Sequence, residues 1–393
     1  MTVPTARFAS RRARAMPDSV FAVMDRAKAQ ARAEGRDVID LSIGSSDLAP
    51  PSAALAAVKA AVDDPTSYGY CLHAGTRPLR EAACDWYRQR YGPRLDPDRE
   101  ALALIGAQEG FANLLLATTD PGDAILLPEP GYPSWFGAVA IAGLERVALP
   151  LRAENRFLPD LGAVPGDVAR RAKVLVLSYP NNPTAATATP EDFERAVAFA
   201  ERHDLLLVHD FPYVDLVFGD DQAPSALAVP GGRERVVELY SFSKSYHMPG
   251  FRIGFALGAQ DAIGALAKVK GAVDFNAWPG IQRAAVAALR TPRERVRADA
   301  ETYRIRRDAL VDALNRHGVP TTTPAASMYV WTRLPGGLRD SAAFGVQLVR
   351  ETGVAVSPGV GFGETGEGWM RLALVREPEA LSEAAARIGR YAV

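Results

Sequence analysis

Several residue types are scarce in this sequence, and each shortage excludes a class of protein. The 393 residues include two cysteines, Cys71 and Cys84, which are too few for a disulfide framework. No apolar stretch is long enough for a membrane span, and none follows a charged segment as in a signal peptide. The histidines and cysteines form neither an H-E-x-x-H nor a C-x-x-C pattern, so no metal site is expected. We therefore expect a cytoplasmic protein.

The charge and length of the chain narrow its class further. The formal net charge is −1, and the only dense basic cluster is the short segment 11–14. No basic stripe is present, so neither nucleic acid nor a membrane is an expected partner. With 393 residues and 48% hydrophobic content, the chain can bury more than one ordinary core. A large α/β domain with a smaller second domain is the natural division.

Lysine is also scarce, with six lysines against 39 arginines, and one of them lies in an unusual segment. Lys244 belongs to Ser-Phe-Ser-Lys-Ser at 241–245, and Arg252 follows eight residues later. A lysine amine can form a Schiff base with an aldehyde, which a guanidinium cannot do, and the planar arginine fork suits phosphate. The segment is therefore typical of an anchored phosphate cofactor, although taken alone it also fits a solvated serine-rich loop.

Two polar residues follow buried strands upstream of this segment. Asp210 ends the apolar run that starts at Leu205, and Asn182 follows the run 174–178. Ligands of open α/β sheets bind beyond the carboxyl ends of the strands, so both side chains are expected near a cofactor. Each alone is equally typical of an ordinary turn.

From residue 101 onward, short apolar runs alternate with helical stretches, which indicates a mostly parallel sheet covered by helices on both faces. The predicted strands are 101–105, 124–127, 174–178, 205–210, 236–241 and 252–258. After Pro279 a helical pattern runs from 281 to 316 with a break near Thr291 and Pro292. The remainder is predicted as a compact α+β unit with strands near 328–331 and 369–375 and helices over 341–351 and 377–391.

In this order the segments resemble the fold-type I pyridoxal-phosphate aminotransferases, particularly the class I/II branch with aspartate and LL-diaminopimelate aminotransferases. The resemblance also includes the segments 40–44, 70–75, 130–133 and 370–374 and covers nearly the whole chain. It implies an α/β fold with a large domain around a mostly parallel, seven-stranded sheet. That domain would comprise residues 46–285, and a small α+β domain would comprise residues 1–45 plus 286–393.

The resemblance also implies a role for each cofactor residue. Lys244 would bind pyridoxal 5′-phosphate and act as the base, and Asp210 would pair with the ring nitrogen. Tyr213 and Asn182 would bind the ring hydroxyl, and Tyr132 would stack on the ring. The phosphate would lie among Ala107, Gln108, Ser241, Ser243 and Arg252.

Substrate and partner follow from the same resemblance. Arg371 would pair with the substrate α-carboxylate, with Gly44 and Asn182 beside it. Tyr70 would reach the phosphate of a neighbouring subunit, which implies a homodimer with shared active sites. We further expect Phe21, His73, Trp135 and the segment 274–278 to line the distal pocket.

The sequence departs from the family pattern at three places. Ala107 lacks a hydroxyl that the family often has there, and Ala185 follows Thr184 where glycine is usual. The segment Ser45-Ser46-Asp47 replaces the usual acidic or Asn-Pro-Asp type of loop beside the substrate. Because that loop borders the entrance, the amino donor stays open.

The resulting prediction is an aminotransferase that moves an amino group between an L-amino acid and a 2-oxo acid by a ping-pong mechanism. The second pair would be 2-oxoglutarate and glutamate. A pyridoxal-phosphate β-lyase of the same fold is the alternative, since the cofactor residues are common to both. A transcription regulator with an aminotransferase-like domain would need a DNA-binding domain, and the residues before Leu41 resemble only an arm and one helix.

Overall fold

The computed structural model describes residues 8–16, 20–72, 74–219 and 222–392. Its strands are β1 to β12, in chain order Ile39–Asp40, Ala101–Leu104, Ala124–Glu129, Glu145–Pro150, Ala172–Leu177, Leu206–Asp210, Val236–Ser241, Gly254–Gly258, Tyr329–Arg333, Val354–Ala355, Ser357–Pro358 and Trp369–Ala373. Its helices are α1 to α15, in chain order Arg11–Arg14, Val20–Ala33, Ser52–Val62, Arg77–Tyr91, Ala107–Thr118, Pro133–Ala142, Gly166–Arg171, Pro190–His203, Gly232–Arg235, Phe242–Ser245, Gln260–Val273, Pro279–Leu289, Arg293–Arg316, Ser341–Thr352 and Pro378–Ala392.

Seven strands form the main sheet, in the order β2-β8-β7-β6-β5-β3-β4. All neighbours pair in parallel except β8, which runs antiparallel to both β2 and β7. Strands β2, β3 and β7 are buried along their whole length, because helices cover both faces of the sheet. The mostly parallel, seven-stranded sheet that the family resemblance implied is confirmed.

Local sequence explains where several helices begin and end. Thr189 caps α8 and exchanges hydrogen bonds with Asp192, and Pro190 occupies the first turn. Gly143, in the left-handed region, ends α6. Between α12 and α13, Pro292 is the residue immediately before Arg293, where the sequence predicted a break. Each of these signals involves residues that are close to one another in the sequence.

A second, smaller core lies beside the sheet. Strands β9, β11 and β12 form an antiparallel sheet, and β1 pairs in parallel with β10. Helices α13 and α15 pack on this unit, while α2 packs on α14. The N-terminal segment thus joins the C-terminal unit, as the resemblance implied. The division into 46–285 and 1–45 plus 286–393 stays a prediction, since α13 contributes Val296 to the first core and Ala300 to the second.

Within the described parts of the chain, no helix is both long and apolar enough to cross a membrane. The longest helix, α13, has 24 residues and carries many arginines and carboxylates. It runs from one core to the other, so residues near its first turns lie close to the main sheet.

Candidate active site

A cavity of about 730 Å³ opens between the carboxyl ends of the main-sheet strands and the smaller unit. One wall of the cavity consists of strands β6 and β7, the N-terminus of α5 and the segment before α6. The other wall consists of β9, β12 and the segment after β1. Of the thirteen residues expected in the site, twelve line the cavity: Gly44, Ala107, Gln108, Tyr132, Asn182, Asp210, Tyr213, Ser241, Ser243, Lys244, Arg252 and Arg371. Tyr70 does not line it.

Lys244 lies in α10, a single turn that follows β7 directly. The Ser241 hydroxyl caps this turn by accepting a hydrogen bond of 3.2 Å from the backbone nitrogen of Ser243. The lysine side chain then reaches across the cavity, where Nζ donates a 2.6 Å hydrogen bond to the carbonyl oxygen of Gly44. Nζ also lies 5.7 Å from the ring centre of Tyr213. The amine is therefore positioned between the two walls.

Asp210 ends β6 and is only 7% exposed. Its Oδ2 accepts a 3.0 Å hydrogen bond from the indole nitrogen of Trp135, whereas its buried Oδ1 has no partner among the described residues. Burial raises the pKa of Asp210 to about 6. A buried carboxylate oxygen without a partner fits a cationic N–H group, such as the ring nitrogen of a protonated pyridine.

An anion cradle forms another part of the cavity wall. Helix α5 begins at Ala107 after Gly106, whose φ of 88° lies in the left-handed region that favours glycine. A Cβ atom on Gly106 would meet Nη2 of Arg252 at 2.4 Å, so the guanidinium lies directly at the start of the helix. Backbone N–H groups, a helix dipole and an arginine in one place suit a phosphate dianion. Ser241 and Ser243 add hydroxyl groups to the same cavity.

Arg371 on β12 is 4% exposed and held by three hydrogen bonds. Nη1 donates to Oδ1 of Asn182 at 2.9 Å, and Nη2 donates to the carbonyl oxygen of Ser42 at 2.9 Å and to Oγ of Ser357 at 3.0 Å. Since no carboxylate of the described residues pairs with it, this guanidinium can bind an anionic ligand in the cavity. The amide oxygen of Asn182 is used by Arg371, so its amide nitrogen is the group that can donate to a ligand.

Tyr329 is a site residue that the sequence analysis missed. The hydroxyl oxygen of Tyr329 lies 3.1 Å from that of Tyr213. It also lies so close to Gly44 that a Cβ atom on this glycine would be 2.0 Å from the Tyr329 oxygen. Burial alone would raise the pKa of Tyr329, but the charges of Lys244 and Arg371 and the hydrogen bond with Tyr213 together lower it. Burial raises the pKa of Tyr213 well above its usual range. The two hydroxyls share one hydrogen bond, in which either oxygen can donate.

The remaining expectations have mixed outcomes. Phe21 and Tyr132 line the cavity, but Trp135 is buried behind it against Asp210. The segment 274–278 does not line it, and Trp278 donates its indole N–H to the carbonyl oxygen of Ser67 instead. His73 lies outside the described residues. Ala185 has a φ of 58°, which explains why glycine is usual at this position.

Tyr70 is 82% exposed and lies outside the cavity. Its ring meets the ring of Phe275 edge to face at 5.0 Å, and Phe275 is itself 51% exposed. Two neighbouring aromatic side chains on the surface form an apolar patch that water solvates poorly.

Comparison with known proteins decides the family. The sequence model of the aminotransferase class I and II family matches residues 36–388. The chain belongs to this family. As an aminotransferase of this class, it depends on pyridoxal 5′-phosphate and moves an amino group between an amino acid and a 2-oxo acid. The predicted family, fold and cofactor are confirmed.

The aminotransferase resembles curated relatives over nearly its whole length. LL-diaminopimelate aminotransferase of Moorella thermoacetica is 41% identical over 381 residues, which cover 97% of both chains. The enzyme of the same name from Gloeobacter violaceus is 42% identical over 374 residues and 95% of both chains.

Solved structures give the same picture. A probable N-succinyldiaminopimelate aminotransferase of Thermus thermophilus is 54% identical with a TM-score of 0.91. The match covers 95% of this chain and 100% of the Thermus chain. Substrate-bound BacF of Bacillus subtilis is 31% identical with a TM-score of 0.94, covering 98% and 97% of the two chains. These site groups fit the family cofactor one by one. The cradle at α5 fits its phosphate, the unpartnered Oδ1 of Asp210 fits its ring nitrogen, and the amine of Lys244 fits its aldehyde.

Proposed function

We propose that this aminotransferase acts on a dicarboxylic amino acid of the diaminopimelate type, with 2-oxoglutarate and glutamate as the second pair. The observation that carries the proposal is that, besides Arg252 at the anion cradle, two more arginines, Arg371 and Arg146, line one cavity with Lys244. Both proposed substrate pairs have two carboxylates, and each arginine offers a planar fork for one. The names of the relatives, LL-diaminopimelate and probable N-succinyldiaminopimelate aminotransferase, support the same substrate class. The enzyme would then serve amino acid biosynthesis.

Arg146 on β4 is suited to the distal carboxylate. Its guanidinium lies over the ring of Phe136, 4.9 Å from the ring centre, and its Nη1 lies 3.5 Å from Oε2 of the buried Glu129. These two contacts fix the direction of the side chain without enclosing it, since the arginine side chain remains 39% exposed. A carboxylate that enters the cavity can therefore bind its open face.

We assign the cofactor residues as the sequence analysis did. Arg252, Ser241, Ser243 and the backbone of Ala107 and Gln108 would hold the phosphate. Oδ1 of Asp210 would accept from the ring nitrogen, Tyr132 would cover one face of the ring, and Asn182 and Tyr213 would bind the ring hydroxyl. Once bound, the cofactor withdraws electrons from the substrate Cα.

The protein groups around the substrate would then divide the remaining work. Arg371 binds the α-carboxylate and so fixes the amino group near Lys244. Nζ of Lys244 moves the proton to and from the substrate Cα, and its present partner, the carbonyl of Gly44, holds the amine on the correct side of the cavity. Because one amine serves both half-reactions, amino acid and 2-oxo acid would bind in turn at the same place.

The homodimer is likewise a proposal. Tyr70 and Phe275 would be covered by a second copy of the chain, and Tyr70 would reach the phosphate site of that copy. Two observations support this arrangement: Tyr70 and Phe275 form an apolar surface patch, and Tyr70 does not line the cavity of its own chain. The cytoplasmic location expected from the sequence also stays a prediction.

A donor panel tests the proposed substrate. The purified enzyme, loaded with cofactor, would be mixed with LL-diaminopimelate, its N-succinyl derivative, glutamate, aspartate and neutral amino acids, and the change in cofactor absorbance would be followed. We expect a dicarboxylic donor of the diaminopimelate type to react fastest. A neutral donor that reacts about 100-fold faster than every dicarboxylic one would overturn the proposal. Pyruvate and ammonia from β-substituted donors would indicate β-lyase activity.

A further inference from the structure

A second polar cluster lies beside the cavity, where three distant parts of the chain meet. Oγ of Ser46 lies 2.7 Å from Nδ1 of His247 and 2.9 Å from the hydroxyl of Tyr303. Nε2 of His247 lies 3.3 Å from Oδ2 of Asp299. Ser46 follows β1, His247 follows the turn that bears Lys244, and the other two belong to α13. We call these four residues the Ser46 cluster.

The cluster is largely closed to water. His247 is 3% exposed and Tyr303 is fully buried. Burial raises the pKa of Tyr303 to about 12, so its hydroxyl keeps its proton. His247 has a φ of 55°, a backbone conformation that asparagine and glycine adopt more readily than histidine.

The cluster also lies next to the reactive amine. Lys244 and His247 belong to one segment, and Gly44 and Ser46 belong to another. The two segments touch twice, through Nζ of Lys244 at the carbonyl oxygen of Gly44 and through His247 at Ser46. The second contact fixes the distance between the segments independently of the first.

Asp47 adds a third attachment to the same entrance segment. Both of its oxygens accept 2.8 Å hydrogen bonds from Arg306 on α13. Residues 44–47 are thus bound to the lysine turn on one side and to the long helix on the other. This is the segment in which the sequence departs from the family pattern.

Serine, histidine and aspartate in a row are also the components of a nucleophilic triad. Here Ser46 does not line the cavity, and its oxygen is engaged by His247, by Tyr303 and, at 3.3 Å, by the backbone nitrogen of Leu48. A hydroxyl with three neighbours and no access to the cavity holds a position and does not attack a substrate.

We propose that His247 is a positioning residue that acts through Ser46. It holds residues 44–46 against the lysine turn and so fixes the backbone of Gly44, which faces both Lys244 and the substrate carboxylate site. The inference goes beyond the proposed function, since it concerns how the entrance segment is held and not which donor enters.

Four variants and a control test this role. Ser46→Ala removes the hydroxyl, and Ser46→Thr keeps it. His247→Asn removes the ring while tolerating the left-handed backbone. The fourth variant combines Ser46→Ala with His247→Asn. As a control, His317→Asn makes the same change at an exposed histidine that caps the C-terminal end of α13.

We expect Ser46→Ala and His247→Asn each to raise the KM for the amino donor roughly fivefold to tenfold, the effect of losing one partly buried hydrogen bond, with a smaller change in kcat. The double variant should do no worse than the more affected single variant, because both changes break one contact. Ser46→Thr should restore most of the affinity, and His317→Asn should match wild type.

Hydrogen–deuterium exchange provides a readout that does not depend on the substrate. In cofactor-free and loaded protein alike, both single variants should exchange faster over residues 41–48 and not over the main-sheet strands. If wild type transaminates none of the donors, the proposed substrate fails, yet the exchange result still decides this inference. Two kinetic results would each overturn the inference: additive effects of the two single variants on KM, or no rescue by Ser46→Thr. Two exchange results would also overturn it: unchanged exchange over residues 41–48, or faster exchange throughout the chain.

Discussion

The indole N–H of Trp135 binds one carboxylate oxygen of Asp210 at 3.0 Å and leaves the other oxygen buried without a partner among the described residues. The carboxylate is therefore held in place before any ligand is present, with one oxygen available. This is an arrangement that favours the protonated form of the carboxyl group until a cation enters.

The first prediction concerns the stability of the cofactor-free protein. Burial raises the pKa of Asp210 from an ordinary 3.8 to about 6. Between these values the folded chain retains a proton that the unfolded chain has released, so the free energy of unfolding falls as the pH rises through this interval. The loss is on the order of 2–3 kcal/mol. Asp210→Asn lacks this titration.

The measurement is the difference in melting temperature between cofactor-free wild type and Asp210→Asn from about pH 4 to pH 7. Relative to the variant, wild type should lose stability up to about pH 6 and then level off. The exposed Asp261, changed to asparagine, provides the control and should follow wild type. If the difference in melting temperature stays constant with pH, the carboxyl group of Asp210 does not have the raised pKa that its burial implies.

The second prediction concerns Lys244. All six lysines belong to the described residues, and only Lys244 lines the cavity. Borohydride reduction of the loaded enzyme should therefore leave a phosphopyridoxyl group on Lys244, detected by peptide mass mapping. Lys244→Ala should carry no label, whereas Lys268→Ala, an exposed control on α11, should be labelled like wild type. A label on any other lysine would falsify the assignment.

The sequence predicted those parts of the site that follow directly from a strand end. Asp210 and Lys244 come immediately after buried apolar runs, and parallel strands bring such ends to one edge of the sheet. The sequence did not predict Tyr329 in the site. The apolar pattern of β9 predicts a strand, but it does not indicate which of its side chains contacts residues that are distant in the sequence. Trp135 was expected in the distal pocket, but the packing of α6 turns its indole toward Asp210.

The fold shows the same limit. Strand β4 was not predicted from the sequence, because it lies at the edge of the main sheet and most of its residues are exposed. An edge strand lacks the continuous apolar run by which buried parallel strands are recognised. The Ser46 cluster could not be foreseen either, since it joins residues from three distant segments.

The third prediction concerns Arg371. Its guanidinium is buried and makes no ion pair with a carboxylate in the described structure, so the substrate α-carboxylate is its expected counter-ion. Arg371→Lys cannot reproduce the bidentate geometry and should raise the KM for amino acid and 2-oxo acid by about 100-fold or more. Arg333→Lys on the neighbouring β9, where the exposed arginine lies over Trp369, should have little effect. Similar kinetics for the two variants would remove Arg371 from the binding site.

The fourth prediction concerns Arg146 and the substrate range. Arg146→Gln should lower kcat/KM for dicarboxylic donors roughly tenfold to 100-fold and leave neutral donors within about threefold of wild type. Glu364→Gln removes an opposite charge from the same cavity and should not lower kcat/KM for the dicarboxylic donors. An equal loss for both donor classes would show that Arg146 does not recognise a distal carboxylate.

The last prediction concerns the homodimer and Tyr70. In solution the enzyme should have about twice the 42.1 kDa mass of the chain, measured by light scattering. If Tyr70 completes the site of its partner, a heterodimer of Lys244→Ala and Tyr70→Ala chains contains one site with both defects and one site with neither. Mixing the two inactive variants under conditions of subunit exchange should restore up to about a quarter of wild-type activity for random pairing.

A matched mixture distinguishes this complementation from simple stabilisation. Lys244→Ala and Asp210→Asn affect residues that line the same cavity of one chain, so each site of their heterodimer keeps one defect and no activity should return. Native mass spectrometry would establish that heterodimers formed in both mixtures. If heterodimers of the Lys244→Ala and Tyr70→Ala chains are present but inactive, Tyr70 does not serve the partner's site, and its exposed contact with Phe275 then needs another explanation than a shared active site.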